Sequence, residues 1–228
     1  MSSSLDTRKT ALEIVNAVLI KLGTLEVTAL NANQYSKVYT QLLNEVISEV
    51  DDAGDWEERY STVDTNFVSG QDLYSIDTPE PVKRIDQVFA LPVRAPMKLI
   101  KKQDMTYLKL NDSTGTPRQY CIWGVDTKNN PLIRVYPKPN TSNVTTLTVF
   151  YYEKTPNLTT NDGDVYPVFP ANVLIKGLYY KALMEQNDGE RSAPVQIAEA
   201  EYKTAIMESL NRFTNDTGND VRIVPNRM

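Results

Sequence analysis

The residue types that most often carry enzyme chemistry are scarce in this sequence. Its 228 residues include no histidine and a single cysteine, Cys121. Without histidine there is no Ser-His-Asp or Cys-His arrangement and no His-ligated metal site. One cysteine excludes Cys-rich zinc sites and an intrachain disulfide, and its place beside Ile122 and Trp123 in a predicted strand indicates a packed core thiol. We therefore predict a protein that is not an enzyme and needs no cofactor.

Two acidic segments are the remaining places where oxygen ligands or acid–base groups could act. The run Asn-Asp-Gly-Asp at 161–164 lacks the ligand order of an EF-hand calcium loop, so we predict a tight turn there. Glu57 and Glu58 are adjacent, and adjacent side chains of a strand face opposite sides of the sheet. No Walker A or dinucleotide-binding glycine pattern is present. A small-ligand or hydrolytic domain with an unrecognised Asp/Glu site stays open as an alternative.

Basic residues are concentrated in one part of the chain only. The sequence holds 24 Lys and Arg against 29 Asp and Glu, a net charge of −5, which disfavours tight sequence-specific binding of nucleic acid. The concentration consists of Lys83, Arg84, Lys98, Lys101 and Lys102. We keep two interpretations: a solvated face, or loose contact with DNA in a channel or with a neighbouring subunit. A neutral or acidic lining would let DNA slide, since phosphate affinity comes from Lys and Arg.

The apolar runs are short. The longest, residues 17–20, cannot cross a bilayer, and the first residues show no signal-peptide pattern. We expect an intracellular protein without membrane contact.

Helical periodicity flanks a middle region that alternates with period two. Apolar spacing predicts helices over about 7–22, 32–53, 171–186 and 192–213. Asp51, Asp52 and Asp55 crowd the end of the second helix, where the dipole disfavours negative charge. They predict a solvated, frayed helix end or carboxylates that meet Arg or Lys of a partner subunit.

Strands are predicted in the middle region. The clearest one covers 145–153, which is rich in β-branched and aromatic residues. Residues 119–125 and 132–136 are separated by turn residues and predict a hairpin, and 81–89 predicts a further strand. A short helix is expected to begin near Gln103 or Asp104.

Together these elements predict an α+β fold, in which an antiparallel β-domain is inserted into a four-helix bundle of two N-terminal and two C-terminal helices. The predicted boundaries give a bundle of residues 1–55 and 170–213, an inserted β-rich domain of 56–169, and a C-terminal tail of 214–228.

The order of these pieces resembles the head-to-tail connector (adaptor) proteins of tailed bacteriophages, including the tail tubular protein A type of short-tailed phages. The clearest matching runs are GTPRQYCIWG at 115–124, LIRVYPKP at 132–139 and the strand at 147–152. The first helix with Gly23 at its end, and the last two helices around Asn187-Asp188-Gly189, fit as well. The resemblance covers nearly the whole chain, and the order of the motifs carries it.

The resemblance implies a structural virion protein at the head-tail junction, assembled in the bacterial host cytoplasm. Such proteins form a ring, typically a dodecamer, beneath the portal, and the ring continues the DNA channel used in ejection and supports the next tail or nozzle protein. Another tail-completion or nozzle-contacting ring protein is the alternative within this class. The resemblance also implies a portal contact near the C-terminus, for which the apolar patch in the polar tail supplies candidates: Val221, Arg222, Ile223, Val224 and Pro225.

Overall fold

A computed structural model describes residues 8–216 of the chain. Within these residues five α-helices combine with sheets that are mainly antiparallel, which confirms the predicted α+β class. Contacts divide the described residues into two compact units. We call them the helical unit (residues 8–58 and 155–216) and the sheet unit (residues 59–154).

The helical unit contains four of the helices. They are α1 (Ala11–Lys21), α2 (Gln34–Ala53), α4 (Ala171–Gln186) and α5 (Ala193–Asp216). A capping box starts α1, because Thr10 Oγ1 accepts from the Glu13 N–H and Glu13 Oε2 accepts from the Thr10 N–H. Past its end Gly23 takes a φ of 72°, the left-handed conformation in which glycine is favoured.

Helix α4 is the centre of this unit, since it contacts α1, α2 and α5. Its apolar side chains Val173, Leu174 and Leu178 are fully buried in a core shared with Ile14 and Val46.

An aromatic contact also holds the helical unit together. Trp56 packs edge-to-face on Phe169 with ring centroids 5.1 Å apart, and its Nε1–H donates to the Val50 carbonyl at 2.9 Å. The contact joins the two stretches of chain that build the helical unit.

The prediction of a solvated end for α2 is wrong at Asp51. This residue is 2% exposed, and its Oδ2 accepts a hydrogen bond from the Thr155 N–H at 3.2 Å. The residues around Asp51 carry no sign of this partner, because Thr155 lies far along the chain. Asp52 and Asp55 are exposed, as predicted.

The sheet unit contains nine strands and the short helix α3 (Lys102–Lys109). The strands are β1 (Tyr60–Asn66), β2 (Leu73–Ser75), β3 (Val82–Leu91), β4 (Lys98–Leu99), β5 (Thr114–Gly115), β6 (Gln119–Val125), β7 (Pro131–Tyr136), β8 (Lys138–Pro139) and β9 (Thr146–Glu153). The predicted hairpin is β6 and β7, and the clearest predicted strand is β9.

The two larger sheets share one core. Their strand orders are β1-β9-β3 and β2-β7-β6-β4, with antiparallel pairing except for the two-residue strand β4, and β5 and β8 form a third, parallel pair. Val88, Leu147 and Val149 of the first sheet are buried with Tyr120 and Ile133 of the second. Alternation along β9 therefore turns Leu147 and Val149 toward this core.

Gly177 sets how closely the helices approach. A Cβ added there would lie 2.5 Å from Val46 Cγ1 and 2.7 Å from Tyr202 Cε2, so α4 meets α2 and α5 at a distance that only glycine permits. We predict that Gly177→Ala lowers the free energy of unfolding by about 1 to 3 kcal/mol through overpacking, despite alanine's better helix propensity. The control is Gly124→Ala, whose Cβ meets nothing within 4 Å. Thermal unfolding checks this, and a Gly177→Ala protein as stable as the control would contradict it.

Candidate functional site

Three of the five predicted basic residues lie together in the sheet unit. Lys98 on β4, Lys101 before α3 and Lys102 at its start line a shallow depression of about 630 Å³. Leu99, Ile100, Asp104 and Ile122 also line it. We call this surface the basic depression. Its charged side chains are exposed, so water screens them and they give a weak, general attraction for anions.

The other two predicted basic residues lie on the β1-β9-β3 sheet and do not line the basic depression. Lys83 is the extra residue where the β3–β9 register shifts between Val82 and Arg84. Arg84 lies over the Tyr152 ring at 5.2 Å and pairs with Asp86 at 3.6 Å. The structure therefore brings together Lys98, Lys101 and Lys102, and places Lys83 and Arg84 on a different sheet.

An ion-pair network holds α3 and thereby the basic depression. Asp72 Oδ2 lies 2.8 Å from Lys109 Nζ at the end of α3 and 3.4 Å from Arg134 Nε on β7. The Arg134 guanidinium in turn stacks over the Trp123 ring at 3.9 Å. Met105, which is fully buried, supplies the apolar contact of α3.

A second candidate surface is a groove between α2 and α4 in the helical unit. It has a volume of about 360 Å³ and a mainly apolar lining that includes Tyr35, Val38, Leu42 and Ala182. We call it the helical groove. The apolar periodicity of the second predicted helix does not separate this surface from the helix's buried face. Tyr35 is 70% exposed.

Ion pairs join the two helices that form the helical groove. Lys181 Nζ lies 2.6 Å from Glu49 Oε1 and 3.3 Å from Glu45 Oε2. Burial lowers the pKa of the Lys181 ammonium, but the hydrogen bonds and charges of Glu49 and Glu45 outweigh it, so the net pKa is raised. The lysine stays charged and links α4 to α2.

The outer face of the β1-β9-β3 sheet carries aromatic side chains. Tyr60 lies 5.0 Å from Tyr152 and 6.0 Å from Phe150 between ring centroids. Burial, followed by the hydrogen bond from the Tyr60 hydroxyl to Asp86, raises the pKa of Tyr60 to about 12. At 41% exposure Tyr60 still presents apolar area to solvent. Tyrosine in such a setting is typical of protein interfaces.

Glu57 and Glu58 lie in a short 3-10 helix (Glu57–Arg59), so the prediction that they lie on a strand is wrong. The other segments considered for chemistry form a turn and part of the core. In the predicted turn the Asp162 carboxylate accepts from the Thr159 N–H at 2.5 Å, which lowers the pKa of Asp162. Cys121 is buried, and this burial raises the pKa of its thiol. Within residues 8–216 no group of three or more Asp, Glu, Cys or His side chains is placed to hold a metal ion. No helix of that same region is long and apolar enough to span a membrane.

Comparison with known proteins gives the decisive observation. Residues 9–228 match the family model described as SU10 adaptor protein, a phage head-to-tail adaptor family. The chain belongs to the SU10 adaptor protein family. The resemblance to phage connector proteins seen in the sequence is thereby confirmed. No curated protein sequence matches the chain.

Membership of the SU10 adaptor family defines the general role. An adaptor of this family is a structural component of the phage virion with a head-tail adaptor role, and the family implies a non-enzymatic protein. The family also implies oligomerization and contact with other head and tail proteins. The predicted portal contacts, residues 221–225, lie outside the described residues.

The Asp72 network generates a prediction about the adaptor's basic depression. Asp72→Ala leaves Arg134, which is 14% exposed, without its carboxylate, so we expect the free energy of unfolding to fall by about 2 kcal/mol. Asp112→Ala is the control, because Asp112 also pairs with a lysine but is 74% exposed, and we expect its free energy of unfolding to fall by less than about 0.5 kcal/mol. Urea unfolding measures both values, and hydrogen exchange over residues 102–109 reports α3 directly. Equal destabilisation of the two variants would contradict the network's role.

Proposed function

We propose that this chain forms a ring, of about twelve copies, that joins the portal of the phage head to the tail and continues the DNA channel. The observation that carries the proposal is the match to the SU10 adaptor family over residues 9–228. The lack of histidine and the single cysteine are in keeping with a structural role. The ring would assemble in the host cytoplasm, and its far side would receive the next tail or nozzle protein.

We further propose that the two units divide the work of each copy. Helices α1, α2, α4 and α5 would act as a four-helix bundle, with the sheet unit as a domain inserted between α2 and α4. Two surfaces favour a role in assembly: the helical groove, with exposed Tyr35, and the aromatic face around Tyr60. The C-terminal residues 221–225 would contact the portal.

The charge distribution supports a channel that guides DNA without holding it. The chain carries a net charge of −5, so its surface as a whole has no strong attraction for phosphate. Lys98, Lys101 and Lys102 in the basic depression would then supply weak local attraction. Weak, salt-sensitive contact is what a sliding duplex requires.

Ring formation on the portal is the first test. We expect the full chain to be monomeric or heterogeneous alone and to form rings of about twelve copies when purified portal rings are added, as seen by mass photometry and negative-stain microscopy. Deletion of residues 217–228, which leaves α5 whole, is expected to abolish binding to the portal. A full chain that never associates with the portal would contradict the proposed function, and undiminished binding after the deletion would contradict the portal contact.

The basic depression generates a second test. Replacing Lys98, Lys101 and Lys102 by glutamine is expected to weaken binding of a random duplex to assembled rings. The slope of log K against log salt should become shallower by up to about 3, one for each phosphate that a lysine no longer neutralises. The control replaces Lys37, Lys128 and Lys154, which are also exposed, and is expected to change the slope less. Fluorescence anisotropy between low and moderate salt measures the slope for each variant. Identical slopes would contradict the proposal that the basic depression contacts DNA in the channel.

A further inference from the structure

The β1-β9-β3 sheet ends on one side in a strand whose outer edge is open. Strand β1 pairs with β9 from Tyr60–Tyr152 to Asn66–Thr146 without a register shift, and within residues 8–216 no strand pairs with its other edge. The Phe67 N–H donates to the Thr145 carbonyl, which fixes which residues of β1 bond to β9. By the alternation of antiparallel pairs, the N–H and C=O groups of Thr62 and Asp64 point away from β9.

The opposite edge of the same sheet, β3, is protected against the addition of a further strand, whereas the edge of β1 is not. Strand β3 has two register shifts against β9, and it carries Lys83 and Arg84 near its start. At its other half the Met97 N–H donates to the Val88 carbonyl at 2.7 Å, and Phe89 bridges Pro96. Bulges, basic residues and a covering segment are the devices that block strand addition. The seven residues of β1 contain no lysine, arginine or proline and no bulge.

We infer that the open edge of β1 accepts residues 221–224 of a second copy of this chain as an added antiparallel strand. This inference deepens the proposed function and rests on it, because it describes how neighbouring copies would be linked in the ring. The segment reads Val-Arg-Ile-Val and is rich in β-branched residues, which favour strands. Twelve residues of the sequence follow the end of α5 at Asp216, and the four before Val221 have a maximum reach of about 14 Å.

One register satisfies charge, apolar burial and backbone hydrogen bonding together. It places Arg222 opposite Asp64, whose exposed carboxylate is held on the outer face by a hydrogen bond from Thr148 at 2.6 Å. Ile223 then lies opposite Val63, which already packs against the core of the sheet unit. Arg222 and Val224 meet the outward N–H and C=O groups of Asp64 and Thr62.

Pro225 fits the same register. It lies opposite Ser61, whose N–H and C=O belong to the β9 side, so the proline nitrogen faces away from β1 and every ladder bond can form. The acceptor edge and the donated segment are different parts of the chain, so the contact is head-to-tail and propagates around a ring. Residues 221–225 held in this way would remain on the ring surface, where the portal could contact them.

Disulfide formation between separately purified single-cysteine-addition variants tests the inference. In the proposed register Thr65 and Val221 form a non-hydrogen-bonded pair, in which Cα atoms are close enough for a disulfide. We mix Thr65→Cys with Val221→Cys, both in the full chain, and oxidise mildly with and without portal rings. The native Cys121 is buried and present in every arm. Each variant is also oxidised alone, and dimer that the mixture forms beyond these two homodimer yields on a non-reducing gel reports the contact between two copies.

The matched control replaces Val221→Cys by Val224→Cys, which places the thiol on the opposite face of the same segment. We expect the Thr65–Val221 mixture to give at least ten times more mixed dimer than this control. Charge reversal adds a second readout: Asp64→Arg in the acceptor lowers the yield, and Arg222→Asp in the donor restores it. Equal yields in the two mixtures, or no restoration, overturn the inference. An intramolecular disulfide in the Thr65→Cys/Val221→Cys double variant, with none in the mixture, overturns the second copy as occupant.

The disulfide experiment and the portal-binding experiment can fail independently of each other. Loss of portal binding on deletion of residues 217–228, without any Thr65–Val221 disulfide, leaves the portal contact standing and overturns strand addition. Mixed dimers in a protein that never associates with the portal support strand addition and overturn the head-tail role.

Discussion

Pairing of β9 with β1 and β3 is the constraint on which both units depend. It places Tyr60 opposite Tyr152, so a strand that follows the helix α2 is held beside the strand that leads back toward α4. The sheet unit is closed by this pairing, and the helical unit is built from the two stretches of chain outside it. Closing the loop between residues so distant in sequence costs conformational entropy. Burial of the core that the two sheets share offsets this cost. The helical unit has its own contacts between residues distant in sequence: Trp56 packs on Phe169, and Asp51 accepts a hydrogen bond from Thr155.

Local patterns were enough to predict the elements. The helix from Ala171 to Gln186 was predicted at the bounds observed, because Val173, Leu174 and Leu178 repeat with the period of a buried helix face. Strands β6 and β9 were predicted within one residue of their bounds, since β-branched and aromatic residues alternate there. Each of these signals lies within one element, where periodicity and propensity act.

Partners across the chain were not predictable in this way. Asp51 was expected in solvent because its hydrogen-bond donor, Thr155, is remote. The five basic residues were treated as one concentration, but Lys83 and Arg84 lie on β3 of one sheet, whereas Lys98 lies on β4 of the other with Lys101 and Lys102 just beyond it at the start of α3. The open edge of β1 is invisible in the sequence, because being at the edge of a sheet is a property of strand order and not of the strand's residues. The head-tail role follows from the family match and not from the geometry of either unit.

The two passages of chain between the units lie side by side on the sheet unit. The Arg59 guanidinium donates to the Lys154 carbonyl at 2.7 Å and pairs with Glu153 at 3.3 Å, so the first and last residues of the unit are fastened to each other. A domain whose ends meet can be exchanged as a cassette, since recombination needs only to preserve that junction. Such a junction would let the sheet unit diverge while the helices keep their own packing.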